Sequence, residues 1–339
     1  MTALSVFGKS LSVFGSFFVA IQAAIFLCLS WTSSVFATDP QSLANSVVKV
    51  ESRVPSDAQS AESLGRARVG SGVILENQLV LTIGYLLLEA DTVDIITASG
   101  RRVPGSVAGY DHSTGFGLVR TALPISEPAI VMGDSDKVTE KQKVFTIGQG
   151  EDKPTELHIV SRKVFAGGWE YLIEKPLFTF PPVNNWSGAP LLTEDGTLVG
   201  IGSLIVNDAA VDRKGVPGNM FIPTNLLKPI LDDLRAKGRR SGDVQPWLGM
   251  STEINRGNLM VQRVSPKGPA DLAGIAAGDI VLGVGTAKVT DQADFYRKLW
   301  GAGNAGSEIS VRLLQGGDVK DVKIKSIDRM DFIRKPSGV

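Results

Sequence analysis

The chain has 339 residues, which is enough for two domains of ordinary size. Hydrophobic residues make up 43% of the sequence, and this is ample for packed cores. The 35 Lys and Arg residues balance 35 Asp and Glu residues. The charge therefore offers no electrostatic basis for a nucleic-acid partner, and none is predicted.

The first 37 residues have the composition of a secretory signal. Lys9 precedes an uncharged apolar run over residues 11–31, and Val35 and Ala37 then provide small residues at the spacing that a signal peptidase favours. The run also approaches the roughly 20 apolar residues that cross a bilayer, so an uncleaved anchor remains the alternative. In either case the chain is predicted to be exported to a bacterial periplasm, free or held at the inner membrane.

The cysteine and histidine counts restrict the chemistry. Cys28 is the only cysteine and lies inside the signal segment, so cleavage would exclude disulfides, cysteine nucleophiles and thiolate metal sites. The two histidines, His112 and His158, share no ligand spacing. No metal site and no cofactor are predicted.

Residues 40–223 show short apolar runs separated by turn signals at intervals near 8–12 residues, which predicts an all-β barrel or sandwich. The clearest runs are SVVKV (46–50), GSGVIL (70–75), LVLTI (79–83), DIITAS (94–99), KVFTIG (143–148) and TLVGIGSLIV (197–206).

Residues 224–245 are predicted to form a connecting helix and a linker. Leu226, Leu227, Ile230, Leu231 and Leu234 recur with helical spacing, with Thr224 as the predicted N-cap. Residues 246–330 mix strands and helices, as a small α+β module would. The predicted strands there are 259–264, 279–285, 308–314 and 319–326, and the predicted helices are 270–275 and 291–303.

The stretch NNWSGAPLL, residues 184–192, has the form of a turn that presents a nucleophilic serine, Ser187. A serine hydroxyl performs acyl transfer only when a neighbouring base removes its proton. His112 and His158 are the only imidazoles that could do so.

The motifs, taken in order, resemble the high-temperature-requirement (HtrA/Deg) family of trypsin-like serine proteases. They are GSGVIL, LTIGY, DHSTGFGLVR, FTIGQG, NNWSGAPLL, DGTLVGI and FIPTNLL. GPADLAGIAAGDIVLGVG, residues 268–285, resembles the PDZ domain of that family. The resemblance implies a trypsin-like double β-barrel domain over residues 40–223 and one PDZ domain over residues 246–330.

The resemblance also carries over the catalytic positions, and several are altered. The nucleophile falls on Ser187, but the histidine position holds Tyr85 and the aspartate position holds Gly115. The glycine that supplies an oxyanion-hole N–H is replaced by Asn185. A phenol with a pKa of about 10 keeps its proton at pH 7 and cannot replace the imidazole base.

Two routes could still activate Ser187. His112, with Asp111 beside it, is the best substitute base; His158 is expected to be a surface residue. A serine–lysine pair would need Lys141 or Lys143, neither of which the sequence places near Ser187. The simplest interpretation is that Ser187 fits a tight turn without performing chemistry.

The fragment PWLGM, residues 246–250, resembles the PDZ loop that binds a peptide's terminal carboxylate. Successive backbone N–H groups of Leu248, Gly249 and Met250 would form the nest for that carboxylate, and Trp247 beside them is also expected to bind the peptide. The predicted helix 291–303 would form the facing wall of the groove. Its Phe295 and Leu299 are expected near the peptide pocket, or else they are ordinary core residues.

Two functions from different classes follow. The first is an inactive protease homologue that binds peptide C-termini or misfolded envelope proteins through its PDZ domain, as a chaperone or adaptor. The second is an active serine endopeptidase of periplasmic quality control with a non-standard base. A purely structural protein with a closed PDZ groove is a third possibility. The resemblance further implies an oligomer, either a homo-oligomer such as a trimer or an assembly with active relatives.

Overall fold

The computed structural model describes residues 40–334. The predicted signal or anchor segment, residues 1–37, lies outside the described residues. Within residues 40–334, no helix is both long enough and apolar enough to cross a membrane.

Six antiparallel strands close the first barrel in the order β1-β2-β3-β6-β5-β4. The apolar run of β3 is buried at all five positions, and closure leaves no strand edge exposed. Two short helices, α1 (Pro40–Asn45) and α2 (Ser60–Leu64), accompany this barrel. Its strands are β1 (Val47–Arg53), β2 (Ala67–Glu76), β3 (Leu79–Ile83), β4 (Thr92–Ile96), β5 (Arg102–Tyr110) and β6 (Phe116–Thr121).

A second closed barrel has the order β11-β14-β13-β12-β7-β8. A separate two-stranded hairpin, β9 (Phe165–Gly167) and β10 (Tyr171–Ile173), leaves this barrel between β8 and β11. The barrel strands are β7 (Lys143–Thr146), β8 (Thr155–Ser161), β11 (Leu177–Phe180), β12 (Pro190–Leu192), β13 (Leu198–Val206) and β14 (Gly218–Pro223).

The connecting segment differs from the single helix that its leucine spacing predicts. Thr224 begins a 3-10 turn, Thr224–Leu226, and the α-helix α3 starts only at Leu231 and ends at Lys237. Pro229 explains the break, because it has no N–H to donate and disfavours a helical residue before it. Thr224 is therefore not the cap of the α-helix, whose N-cap is Ile230.

The C-terminal module is a twisted sheet in the order β15-β16-β17-β19-β20, with β18 paired to β17. Helix α5 packs its buried face on this sheet, and the Asp291 side chain caps it by accepting the N–H of Asp294 at 2.8 Å. The strands are β15 (Met250–Asn255), β16 (Asn258–Val264), β17 (Ile280–Val284), β18 (Ala287–Lys288), β19 (Glu308–Gln315) and β20 (Asp318–Lys325). The helices are α4 (Pro269–Leu272), α5 (Gln292–Gly301) and α6 (Arg329–Phe332).

The predicted fold class is confirmed: the chain is mainly β, with two six-stranded barrels followed by a small α+β module. The barrels and the α+β module belong to one compact unit. Two places in this arrangement bear on function, namely the face of β2 that meets the serine turn and the groove between β15 and α5.

Candidate functional site

The serine turn is held between the two barrels by close backbone contacts. The Ser187 carbonyl accepts the N–H of Ser71 from β2 at 2.7 Å. Gly188 follows with a φ of 73°, and a Cβ there would lie 2.1 Å from the Ser71 carbonyl oxygen. Only glycine meets both requirements, so the turn holds Ser187 against β2 of the first barrel.

At the base position, Tyr85 contacts the serine directly. It lies in the 3-10 turn Gly84–Leu86 that follows β3, and its hydroxyl donates to Ser187 Oγ at 2.7 Å. Burial raises the pKa of the Tyr85 phenol well above its ordinary value. The phenol therefore keeps its proton and gives a hydrogen bond to an oxygen whose own proton a base would have to remove. The edge of the Trp186 ring packs against Tyr85, with the ring centroids 6.5 Å apart.

At the aspartate position, Gly115 leaves no room for a side chain. Its φ is 84°, and a Cβ would lie 3.0 Å from Tyr171 Oη and 3.2 Å from Ile222 Cδ1. The Tyr171 hydroxyl donates to the carbonyl of Thr114 at 2.7 Å, so β10 of the hairpin fills this position. Gly115 itself supplies no carboxylate to orient a base.

At the oxyanion-hole position, Asn185 is tied to a carboxylate that sequence reasoning missed. Its Nδ2 donates to Glu151 Oε1 at 2.7 Å, while Glu151 Oε2 accepts the N–H of Gly148 at 2.7 Å. Asn185 also lies outside the positive-φ region. A half-buried carboxylate at the end of a β-turn gives no sequence signal for this contact.

His112, the best substitute base by sequence, is occupied elsewhere. Its Nδ1 hydrogen-bonds to Tyr110 Oη at 2.9 Å, and its Nε2 faces the guanidinium of Arg329. A guanidinium only donates, so Nε2 accepts and the ring is neutral. Burial, and then the charge of Arg329, lowers the pKa of His112 well below its ordinary value.

The remaining candidate bases also make their contacts with groups other than Ser187. His158 is exposed on β8 and lies 3.9 Å from Glu156, as expected for a surface residue. Lys143 pairs with Glu194 at 3.0 Å. Lys141 lies in the loop before β7 with a φ of 68°, and its backbone N–H bonds to Ile159. Among residues 40–334 no cluster of His, Cys, Asp and Glu could hold a metal ion.

The predicted carboxylate nest in PWLGM holds a carboxylate, and that group belongs to the same chain. Glu170, in the loop of the β9–β10 hairpin, accepts the N–H of Leu248 at 2.9 Å, of Gly249 at 2.7 Å and of Met250 at 3.1 Å. Trp247 does not share in this, since its N–H bonds to the Ile327 carbonyl and its ring packs on Phe332. Nothing in the local sequence around Glu170 signals this contact.

The groove helix contacts the hairpin through residues other than those predicted. Phe295 and Leu299 are fully buried in the core of the α+β module, the second of the two interpretations of their spacing. Polar contacts come from the next face of α5, where Tyr296 Oη donates to the Gly167 carbonyl at 2.8 Å. Gln292 Nε2 donates to the Thr252 carbonyl on β15 at 2.6 Å.

Comparison with known proteins gives the same two-part organisation. Residues 70–201 match the trypsin-like peptidase domain family, and residues 246–326 match the PDZ domain family. A probable periplasmic serine protease do/HhoA-like of Haemophilus influenzae is 28% identical over 273 residues, which cover 76% of this chain and 58% of that protein. The serine protease Do-like HtrA of Bacillus subtilis is 24% identical over 291 residues, covering 76% of this chain and 63% of that protein.

The structural comparison agrees with the family matches. The crystal structure of the serine endoprotease from Yersinia pestis is 25% identical, covers 86% of this chain and 98% of its own, and superposes with a TM-score of 0.51. The present chain spans roughly three-fifths of the length of the two bacterial relatives above. The chain therefore has a trypsin-like peptidase domain followed by a PDZ domain, and it is similar to bacterial proteins named as Do-like and HtrA serine proteases.

Proposed function

We propose that this HtrA/Deg-like chain does not cleave peptides at Ser187 and works by binding other proteins. The observation that carries the proposal is the hydrogen bond from Tyr85 Oη to Ser187 Oγ at 2.7 Å. Both imidazoles of the chain make their contacts elsewhere, His112 with Tyr110 and Arg329 and His158 with Glu156. Members of a catalytic triad act as a unit, so loss of the base alone removes most of the rate.

The proposed ligands are peptide C-termini and unfolded envelope proteins, bound through the PDZ domain in a chaperone or adaptor role. Three backbone N–H groups, from Leu248 to Met250, already converge on one carboxylate. A carboxylate nest with a β-strand edge gives modest affinity, near micromolar, or about 8 kcal/mol of binding free energy. The periplasmic names of the relatives support an exported location, and a homo-oligomer or an assembly with active relatives is part of the same proposal.

The alternative is an active serine endopeptidase. Retention of Ser187 in an intact turn favours it, as do the protease names of the relatives. Its base would have to be an unusual one, because His112 could reach Ser187 only by giving up its contacts with Tyr110 and Arg329.

A fluorophosphonate probe distinguishes the two functions, because it labels only a serine whose hydroxyl is activated. The purified protein is expected to show no labelling above that of a Ser187→Ala variant, under conditions that label trypsin to completion. Labelling that depends on Ser187 would instead establish the endopeptidase.

A further inference from the structure

The Glu170 carboxylate occupies the position that a peptide's C-terminal carboxylate would take. Oε1 accepts from Gly249 and Met250, and Oε2 accepts from Leu248, at distances of 2.7–3.1 Å. The Glu170 residue is only 4% exposed. All three donors of the nest are therefore already satisfied from within the chain.

The rest of the hairpin also contacts the groove between β15 and α5. The Thr252 N–H on β15 donates to the carbonyl of Gly168 in the hairpin loop at 2.9 Å, so one backbone hydrogen bond joins the hairpin to the edge of this strand. A Cβ on Gly168 would lie 2.8 Å from the Thr252 carbonyl oxygen, so the approach is as close as glycine permits. Ala166 and Leu172, one from each hairpin strand, pack against the PDZ core.

Helix α5 holds the other side of the hairpin. Tyr296 Oη donates to the Gly167 carbonyl at 2.8 Å and accepts the Glu170 N–H at 3.2 Å. At the base of the hairpin, Arg297 forms an ion pair with Glu174 at 2.8 Å. The hairpin is thus bound by the nest, by β15 and by α5 together.

The backbone conformation of Glu170 also supports its role as a ligand of the nest. The hairpin loop is Gly168–Trp169–Glu170, and Glu170, its last residue, has a φ of 59°. Three-residue hairpin loops use the left-handed conformation at this position, where glycine is the usual residue. A non-glycine residue in this conformation is strained, and the three hydrogen bonds to the nest offset that strain.

We propose that the β9–β10 hairpin is an intramolecular ligand of the PDZ site, and that peptides with a free C-terminal carboxylate bind only when they displace Glu170 from the nest. The inference rests on the proposed peptide-binding function and adds its regulation. When a competent state is only partly populated, the apparent affinity falls by that fraction. Removing the Glu170 carboxylate should therefore strengthen peptide binding without any change in the nest itself.

The test compares the full chain with Glu170→Gly, which removes the carboxylate and accepts the φ of 59°. Glu170→Gln is a second variant of native size, and Glu156→Gln is the control, since it removes an exposed carboxylate from β8. The probe is a fluorescent pool of random decapeptides with free C-termini, and the same pool amidated at the C-terminus is its control. Binding is measured by fluorescence anisotropy.

We expect Glu170→Gly to bind the free-carboxylate pool at least tenfold more tightly than the wild type and Glu156→Gln do, with no such gain for the amidated pool. Equal affinity in the wild type and both Glu170 variants would overturn the intramolecular ligand while leaving the binding function in place. Folded Glu170 variants that bind neither pool would overturn the binding function instead.

Hydrogen exchange tests occupancy of the nest without any ligand. The amides of Leu248, Gly249 and Met250 should exchange at least tenfold faster in Glu170→Gly than in the wild type, and unchanged rates would contradict the proposal. In the unmodified protein, saturating free-carboxylate peptide should speed exchange across residues 165–173. Peptide binding that leaves those rates unchanged would show that no displacement occurs.

Discussion

Tyr85 and Ser187 share one hydrogen bond in which the phenol is the donor. A nucleophilic serine needs the opposite arrangement, with its own hydroxyl donating to a base. Two further positions of the predicted site also differ from a catalytic triad and its oxyanion hole. Gly115 has no carboxylate, and the Asn185 side chain is hydrogen-bonded to Glu151. The consequences of these positions for stability can be tested residue by residue.

Gly115→Ala should destabilise the protein more than a positive φ alone explains. The φ of 84° costs an alanine about 1–2 kcal/mol, and the new Cβ would also crowd Tyr171 Oη at 3.0 Å. Gly100→Ala is the matched control, since its φ is 83° and its Cβ would meet nothing within 4 Å. Thermal melts should show the larger loss for Gly115→Ala; equal losses would mean that Tyr171 does not fill the aspartate position.

His112 should make the protein less stable as the pH falls below about 6.5. Burial and Arg329 lower the pKa of folded His112, so the unfolded chain takes up this proton first, near its usual pKa of about 6.5. The contribution of His112 is complete above that pH and is lost below it. The contribution of Glu170 to stability has the opposite pH dependence. Burial raises the pKa of Glu170 to about 7, so this contribution is lost as the pH rises through that value.

A His112→Gln variant separates the two effects, since it leaves Glu170 in place. The difference in melting temperature between His112→Gln and the wild type, taken at the same pH, should shift in favour of the variant as the pH falls from 7.5 to 5.5. His158→Gln, the same substitution at an exposed position on β8, is measured alongside. A constant difference for His112→Gln would show that His112 does not titrate differently in the fold.

At the scale of elements, the β9–β10 hairpin joins two parts of the molecule through adjacent residues. Glu170 bonds to the PDZ nest, and Tyr171 bonds to Thr114 beside the vacant aspartate position. Helix α5 contacts the hairpin with the Tyr296 hydroxyl, while the rings and side chains of Tyr296, Phe295 and Leu299 are buried in the PDZ core. The buried and the exposed residues of α5 should therefore respond differently to substitution.

Leu299→Ala should cost about 2–5 kcal/mol of unfolding free energy, because the leucine is fully buried in the PDZ core. Arg297→Ala on the same helix removes an exposed ion pair with Glu174 and should cost less than about 1 kcal/mol. Urea denaturation followed by circular dichroism measures both values. A loss at Leu299 no larger than that at Arg297 would place Leu299 outside the core and return it to the peptide pocket.

At the scale of the whole molecule, segments far apart in sequence connect the barrels to the PDZ domain. The linker residue Arg240 holds the buried Asp111 with two hydrogen bonds, of 2.6 and 2.9 Å. The C-terminal segment returns to the first barrel, where the Arg334 N–H donates to Glu89 at 3.0 Å. These contacts and the hairpin together account for a single compact unit.

Arg240→Ala should lower the unfolding free energy by about 1.5–3 kcal/mol, since it leaves a buried carboxylate without its charged partner. Lys237→Ala, which removes an exposed pair with Asp233, is the control and should cost less than about 1 kcal/mol. Thermal melts of both variants check this. Similar small losses in the two would mean that the linker does not tie the domains together.

Local patterns in the sequence predicted the strands and the serine turn, and the proposed replacement of the triad positions rests on local motifs as well. Apolar runs such as LVLTI in β3 are buried where predicted, because burial periodicity follows from neighbouring residues alone. Ser187, Tyr85 and Gly115 were located by short motifs for the same reason. Pro229, also a local signal, accounts for the shortened connecting helix; the predicted helix 270–275 is also shorter, ending at Leu272.

The tertiary structure alone decided what fills each site. Glu170 lies 78 residues from the nest that it occupies, and Arg240 lies 129 residues from Asp111. A single carboxylate or guanidinium in a loop has no periodicity and no motif, so its partner is set only by how the chain packs. The sequence therefore identified a nest for a carboxylate, and the fold determined that the chain supplies that carboxylate itself.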